Sequence, residues 1–353
     1  MKVKLCILEN DEVYLNRINT VFNTKYSDKF EIYSFTNKDL AIQTLKSNHI
    51  NVFIADESFN IVEEEIPSYC GFAYFTANMG MSEIRQQRAI CKYQKAELIY
   101  KEILSIFSEN AGNNSKFKLG NEDTKTIAFT SVSGGVGNSV VAAACAQHFA
   151  SLGKKTLYLN LEKYGSSDCF FKGEGQFNMS DIIFAIKTKI ANIPMKLESC
   201  VKQDRGGVFF FSQPHVVLDM LELKKEEMKT LVKEIQTIGI YDYIIIDMEF
   251  DLSKEMFDFL SVVNSVVWIS DGTDITNTKL FRVHQSLTLL DNEEEQQVLN
   301  KLMLIYNKYS SKGGKLLNIE SIKNIGGINF FADATDSQLI TELSAKPVFD
   351  KIV

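Results

Sequence analysis

The sequence is poor in the residues that most often announce chemistry. It contains one tryptophan, four prolines and four histidines. The histidines, His49, His148, His215 and His284, are isolated, which excludes a zinc-type ligand set on spacing. Six cysteines (Cys6, Cys70, Cys91, Cys145, Cys169, Cys200) are scattered without a C-x-x-C pair. Several lie in apolar runs, the pattern of reduced, buried thiols in a cytoplasmic protein rather than of a disulfide framework. Positive charge is also in deficit: 38 Lys and Arg against 45 Asp and Glu leave a formal net charge of −7. No global basic field therefore recruits nucleic acid or acidic lipid, and a nucleic-acid partner is not expected. No apolar run approaches the span of a bilayer, and no secretory signal opens the chain.

What remains is an ordinary globular composition over 353 residues, enough for two or more domains. Residues 1–107 alternate strands and helices. Lys2–Leu8 is an apolar strand running into Glu9-Asn10-Asp11, and helical spacing follows from Val13 to Phe22. Phe30–Phe35, Ile50–Ala55, Phe72–Phe75 and a short Ile90–Tyr93 read as strands, with helices over Lys38–Ser47 and Ala96–Phe107. Such alternation predicts a parallel sheet covered on both faces, with ligands beyond the carboxyl ends of its strands. Glu9, Asp56 and Thr76 fall at those ends. Residues 108–123 are polar and rich in Asn, Gly and Ser, without apolar periodicity, and mark a linker.

Residues 124–353 repeat the α/β alternation, so the fold class is two doubly wound parallel-sheet domains. The second opens on Ile127–Thr130, a glycine-rich turn, and an alanine-rich helix over Val140–Leu152. Gly134, Gly135 and Gly137 permit a tight turn and a close backbone approach, while the helix start offers unpaired amides and positive potential. That is an anion cradle suited to phosphates. Ser139 stands where a P-loop places its Mg²⁺-binding hydroxyl, yet Val132 replaces the first glycine of G-x-x-x-x-G-K-[ST] and Asn138 replaces its lysine. Far downstream, Tyr243–Ile246 is a buried strand delivering Asp247, the carboxylate that holds the hydration shell of a P-loop's Mg²⁺. Ser139 and Asp247 are thus the metal-site candidates. Glu162 follows the Lys155–Leu159 strand, where a carboxylate can orient a water or simply begin a loop. Asn307 ends the strand Leu302–Tyr306 on the same rim, where its amide can pair with a purine edge. Further helices are expected from Ser180 (as cap) to Lys187, over Leu223–Ile238, Ile275–Leu290 and Gln338–Ala345, with strands at Val208–Phe211, Ser265–Ile269 and Ile325–Asn329.

Two resemblances follow. The first hundred residues resemble a response-regulator receiver domain, of flavodoxin-like fold, in which an acidic pair binds Mg²⁺, an aspartate accepts phosphate, and a threonine and a lysine read the result. Asp56, Thr76 and Lys92 match the last three, and the acidic pair falls on Glu9 and Asn10, with Asp11 adjacent. One carboxylate is lost, and Glu63-Glu64-Glu65 adds negative charge nearby. The resemblance implies a degenerate receiver with Asp56 as a vestigial phosphoacceptor; a working phosphoacceptor is the alternative. SGGVGNSV (residues 133–140), LNLE (159–162), IIIDMEF (244–250), the strand ending at Asn307 and the Ile325–Asp333 segment are similar to the MinD/ParA deviant Walker A ATPases. This implies an ATP and Mg²⁺ site formed by Ser133, Gly134, Gly135, Val136, Gly137, Asn138, Ser139 and Val140 with Asp247 and Asn307.

The order receiver-then-ATPase is similar to the CpaE/TadZ family of pilus-assembly localisation proteins. It implies a cytoplasmic protein placed at a cell pole, a homodimer working with partners of a Flp/Tad-type pilus or secretion machine. Ser133 and Asn138 occupy both lysine positions of the family's loop, so hydrolysis is expected to be slow or absent. Arg205 or Arg282 could refill the charge. The amphipathic C-terminal membrane helix of MinD has no counterpart, so membrane attachment is expected through partners. A nucleotide-free scaffold and a phosphorelay output switched at Asp56 stand as the competing functions.

Overall fold

The computed structural model describes residues 2–110, 123–190, 192–294, 298–310, 313–331 and 335–352. Most of the expected linker, 111–122, and Asp333 lie outside the described residues. In chain order the first elements are β1 (Val3–Leu8), α1 (Glu12–Lys25), β2 (Phe30–Phe35), α2 (Lys38–Ser47), β3 (Val52–Asp56), β4 (Gly71–Thr76), β5 (Glu83–Ile84), β6 (Gln87–Cys91) and α3 (Ala96–Asn110). Then come β7 (Lys125–Thr130), α4 (Asn138–Ser151), β8 (Thr156–Asn160), α5 (Ser167–Phe170), α6 (Met179–Thr188), α7 (Ile193–Cys200), β9 (Lys202–Gln203), β10 (Phe209–Phe210), α8 (Leu218–Glu222) and α9 (Lys225–Ile238). The chain closes with β11 (Tyr243–Asp247), α10 (Lys254–Leu260), β12 (Ser265–Ser270), α11 (Asp274–Glu294), β13 (Leu302–Tyr309), β14 (Lys323–Asn329) and α12 (Asp336–Ser344). These form two compact units, residues 1–116 with 188–200, and residues 117–187 with 201–353.

In the first unit the strand order is β2-β1-β3-β4-β6-β5, parallel except for the short edge strand β5. This is the doubly wound order whose ligands sit beyond β1 and β3. Every residue of β3 is buried, which is why it reads as a continuous apolar run ending in an acid. Helix α3 is buried on almost all faces, including the polar Lys101, Ser105 and Ser108. Its cover is α7, which packs along it. Lys196 Nζ donates to Ser105 Oγ at 2.8 Å and to Glu109 Oε1 at 3.1 Å. Glu198 accepts from Tyr100 Oη at 2.6 Å and pairs with Lys29 at 2.9 Å. Sequence periodicity does not find this helix. It is only eight residues long and carries Pro194 in its first turn, a place where proline's missing N–H costs nothing. A helix from beyond residue 124 therefore belongs to the first unit.

In the second unit the order is β14-β13-β12-β7-β11-β8-β10-β9, parallel except for β9. Strand β7 lies between β11 and β12, so the chain proceeds to either side of it and opens a crevice at its carboxyl end. Helix α4 starts in that crevice. Its run of Val141, Ala142, Ala143, Ala144, Cys145 and Ala146 is wholly buried between the sheet and α12, where only small side chains permit such close packing. Phe149 fixes its far end by stacking on Tyr243 at 3.9 Å. Helix α6 begins two residues earlier than expected. Asn178 rather than Ser180 supplies the cap, its Oδ1 accepting from the Ser180 amide at 2.7 Å. Among the described residues no helix is long and apolar enough to cross a membrane.

Candidate functional site

The crevice of the second unit is built first by backbone. After Thr130 the chain turns through residues 131–137, with Gly135 and Gly137 at φ of +78° and +87°. Gly137 is the N-cap of α4, and a Cβ there would stand 2.5 Å from Asn307 Nδ2, so glycine is required twice over. At Gly134 and Gly135 a Cβ would meet nothing within 4 Å, so that side of the loop is open. The first amides of α4 have no carbonyl partner within the helix and present positive potential.

Behind the loop lies a buried polar cluster. Asp247, at the end of β11, has no exposure. Its Oδ1 accepts from Asn138 Nδ2 at 2.7 Å, and its Oδ2 from Tyr158 Oη at 2.7 Å and Asn160 Nδ2 at 2.9 Å. Burial pushes the carboxyl up to about 7, helped by the nearby charge of Glu162 and resisted by those hydrogen bonds. Glu162 is raised as well, by burial first, although Ser139 Oγ donates to its Oε2 at 3.1 Å and Asn160 Oδ1 orients its amide at 3.0 Å. Two carboxyls thus face the loop, and among the described residues no cation joins them. Asn138 Oδ1 and Thr130 Oγ1 are buried with no partner among the described residues.

The rim is closed by β13. Asn307 Nδ2 donates to the Val136 carbonyl at 2.8 Å, and Lys308 Nζ to the Gly135 carbonyl at 2.8 Å. Lys308 has φ of +56° at an irregularity in the β13–β14 pairing. The Asn307 amide therefore grips the glycine loop itself.

The first unit carries a second polar cluster at the carboxyl ends of β1, β3 and β6. Lys92 Nζ donates to Glu9 Oε1 at 3.0 Å and to Asp56 Oδ2. Ser58 donates to Asp56 Oδ1 through its amide at 3.0 Å and through its hydroxyl. Burial raises the Asp56 carboxyl, but the bonds from Lys92 and Ser58 outweigh it and hold Asp56 below the usual range. Glu9 stays raised because burial dominates there. Thr76 donates to Glu57 Oε1 at 3.0 Å instead of facing Asp56. Asp11 does not restore a second carboxylate: it caps α1, accepting from the Val13 and Tyr14 amides. Glu65 of the acidic run pairs with Lys38 at 2.8 Å.

Residues 1–108 match the family model described as TadZ-like, receiver domain. The first unit carries a TadZ-like receiver domain. A comparison with curated proteins finds no match. Among solved structures, a ParA family ATPase from Chlorobium tepidum TLS is similar with a TM-score of 0.51 at 17% identity, over 66% of this chain and 98% of that one. The MinD cell division protein of Aquifex aeolicus aligns at 19% identity and a TM-score of 0.47, over 65% and 93%. At such identity the likeness is one of fold, that of the ParA family ATPase. The TadZ-like receiver is thus followed by a domain of this fold.

Of the residues singled out from sequence, the structure brings Gly137, Asn138, Ser139, Glu162, Asp247 and Asn307 to one crevice, and Glu9, Asp56 and Lys92 to another. Among the described residues neither Arg205 nor Arg282 bonds to the glycine loop; Lys308 does. Sequence reading missed Lys308, Tyr158 and Asn160. The last two were visible as polar residues two apart on a buried strand, a position that demands partners.

The open glycine loop, the free helix amides and the orphaned Asn138 acceptor fit a phosphate chain bearing a hydrated cation. Two carboxyls with raised affinity for protons fit a divalent ion for the same reason. No group of three or more His, Cys, Asp or Glu among the described residues could hold a metal alone. An Mg²⁺ ion here would be shared with phosphates and water, as that ion prefers.

Proposed function

We propose that this chain is an ATP-binding, slowly or non-hydrolysing localisation factor of a Flp/Tad-type pilus or secretion machine, acting as a nucleotide-dependent homodimer in the cytoplasm and at a pole through protein partners. One observation carries the nucleotide part: the glycine loop lies open at Gly134 and Gly135, where a Cβ would meet nothing within 4 Å, ahead of the N-terminus of α4. Backbone amides of residues 134–140 would hold the phosphates, and Ser139 and Asp247 would hold the Mg²⁺ shell. When bound, the ion neutralises phosphate charge. Ser139 would release Glu162 to reach that shell, leaving Glu162 to orient a water. Without lysines at 133 and 138, charge developing in the transition state lacks stabilisation that commonly contributes about 3 kcal/mol per group, so turnover is slow.

Dimerisation is supported by apolar side chains that the second unit leaves uncovered: Val216, Val217, Leu218 and Leu221 are all exposed along one short segment. Localisation rests on the TadZ-like receiver. The test is calorimetry of the full chain with Mg²⁺-ATP, alongside Gly137→Glu. Binding at micromolar to millimolar levels, lost in the variant, is expected. Indifference to millimolar nucleotide would remove the nucleotide reading.

A nucleotide-free scaffold is the second reading, favoured by Asp247, whose oxygens are fully engaged by protein donors. The same calorimetry separates the two. A phosphorelay output is opposed by Asp11, which caps α1 instead of restoring the second carboxylate of the acidic pair.

A further inference from the structure

We propose that Lys308 is the cation of this glycine loop, replacing across the sheet the charge that the loop itself lacks. The inference rests on the nucleotide-binding reading above and names the residue that makes it electrostatically feasible. Lys308 is delivered to the loop by an unusual piece of backbone. β13 is irregular between Tyr306 and Tyr309, and Lys308 sits there with φ of +56°. A lysine in that conformation is strained, and bulges beside ligand sites commonly serve to re-aim a side chain. The re-aimed chain ends on the loop: Nζ lies 2.8 Å from the Gly135 carbonyl, and Cε would be 3.6 Å from a Cβ at Gly137. The ammonium group thus stands over the two left-handed glycines, beside the start of α4. Asn307 holds it there by gripping the next carbonyl, Val136.

Lys308 is solvent-exposed and forms no ion pair with a carboxylate among the described residues, so its charge is uncommitted. An ammonium has three donors, and one carbonyl occupies one of them. The remaining two are available to phosphate oxygens cradled by the loop. Its other candidate role, a structural prop for the loop, needs only a donor and no charge. Glutamine separates the two, because its amide keeps a donor and discards the charge.

The experiment uses the full chain with Mg²⁺-ATP in calorimetry, for wild type, Lys308→Gln and Lys308→Arg. Unliganded melting followed through the single tryptophan, Trp268, verifies that each is folded. Losing one charge-assisted contact should weaken binding roughly 10- to 100-fold in Lys308→Gln, with Lys308→Arg within about fivefold of wild type. Raising salt from about 0.05 to about 0.3 M should weaken wild type more than Lys308→Gln, because only wild type holds the screened pair. Wild type that binds while Lys308→Gln binds equally, with the same salt dependence, would overturn the proposal and leave nucleotide binding standing. Wild type that does not bind overturns both.

Discussion

The most exposed consequence of the buried cluster is a pH dependence of folding in which Asp247 has the largest share and Glu162, raised in the same direction, adds to it. Asp247 is raised from an ordinary 3.8 to about 7, burial being the largest cause. In the folded chain it keeps its proton to near neutrality, whereas in the unfolded chain it has lost it. The unfolded state therefore binds fewer protons across this window, and stability falls as pH rises. The contribution is complete below the unfolded value and is gone above the folded one. Each pH unit between removes about 1.4 kcal/mol, so the total is no more than about 4 kcal/mol, with roughly 2–3 kcal/mol lost from about pH 5 to about pH 7. Asp247→Asn removes the group with the largest share and should make this slope clearly shallower, leaving the part due to Glu162. Trp268 is the single tryptophan and lies fully buried in β12 of the second unit. Urea unfolding followed by its fluorescence therefore reports that unit alone. Wild type and Asp247→Asn falling in parallel between about pH 5 and about pH 7 would refute the reasoning, whatever their absolute stabilities.

Other expectations concern the loop and the receiver. Gly137→Ala should destabilise the second unit by about 1–3 kcal/mol, through positive φ and the clash with Asn307. A double-mutant cycle with Asn307→Ala in urea should recover part of that loss, and strict additivity would argue against the clash. Lys92→Met leaves Glu9 and Asp56 facing each other without a cation. The TadZ-like receiver should lose roughly 2–3 kcal/mol, partly restored by millimolar Mg²⁺ in thermal melts, and no response to Mg²⁺ would count against it. A fragment ending at residue 110 lacks α7 and bares the covered face of α3. Light scattering should find it aggregated, and tethering residues 188–200 should return a monomer.

How much could be read in advance follows from how local each signal is. The glycine loop, the run ending in Asp247 and the run ending in Asp56 are written in consecutive residues, and period-2 and period-3.6 patterns place them at strand ends. Partners across the sheet are not local. Lys308 meets Gly135 across 173 positions, and Tyr158 meets Asp247 across 89. Asn307 was found because it ends an apolar run; the contact not foreseen is that its amide also holds the Val136 carbonyl. Helix α7 escaped for a physical reason too. Its stability comes from docking on α3 through Lys196 and Glu198, not from propensity or caps.

The exchange of lysine for Asn138 and the protonation of Asp247 are two halves of one electrostatic fact. In a P-loop that lysine reaches the β/γ-phosphates, and a cation placed where Asn138 stands would also lie beside Asp247 and favour its charged form. Removing the lysine alone would leave a buried carboxylate unpaired, at a cost of several kcal/mol. Here the acid keeps its proton to about neutral pH and is surrounded by neutral donors, Asn138, Tyr158 and Asn160. Asn138→Lys should reverse the whole arrangement. A lysine ammonium in place of the Asn138 amide, now 2.7 Å from Asp247, would stabilise the carboxylate and draw its pKa back below the neutral range. Overpacking costs about 1–3 kcal/mol at every pH, so absolute stability is uninformative. The slope is not: it should shrink in Asn138→Lys as it does in Asp247→Asn, although the aspartate is still present. A variant that keeps the wild-type slope would mean that burial alone sets Asp247, and that the lost lysine had no part in it.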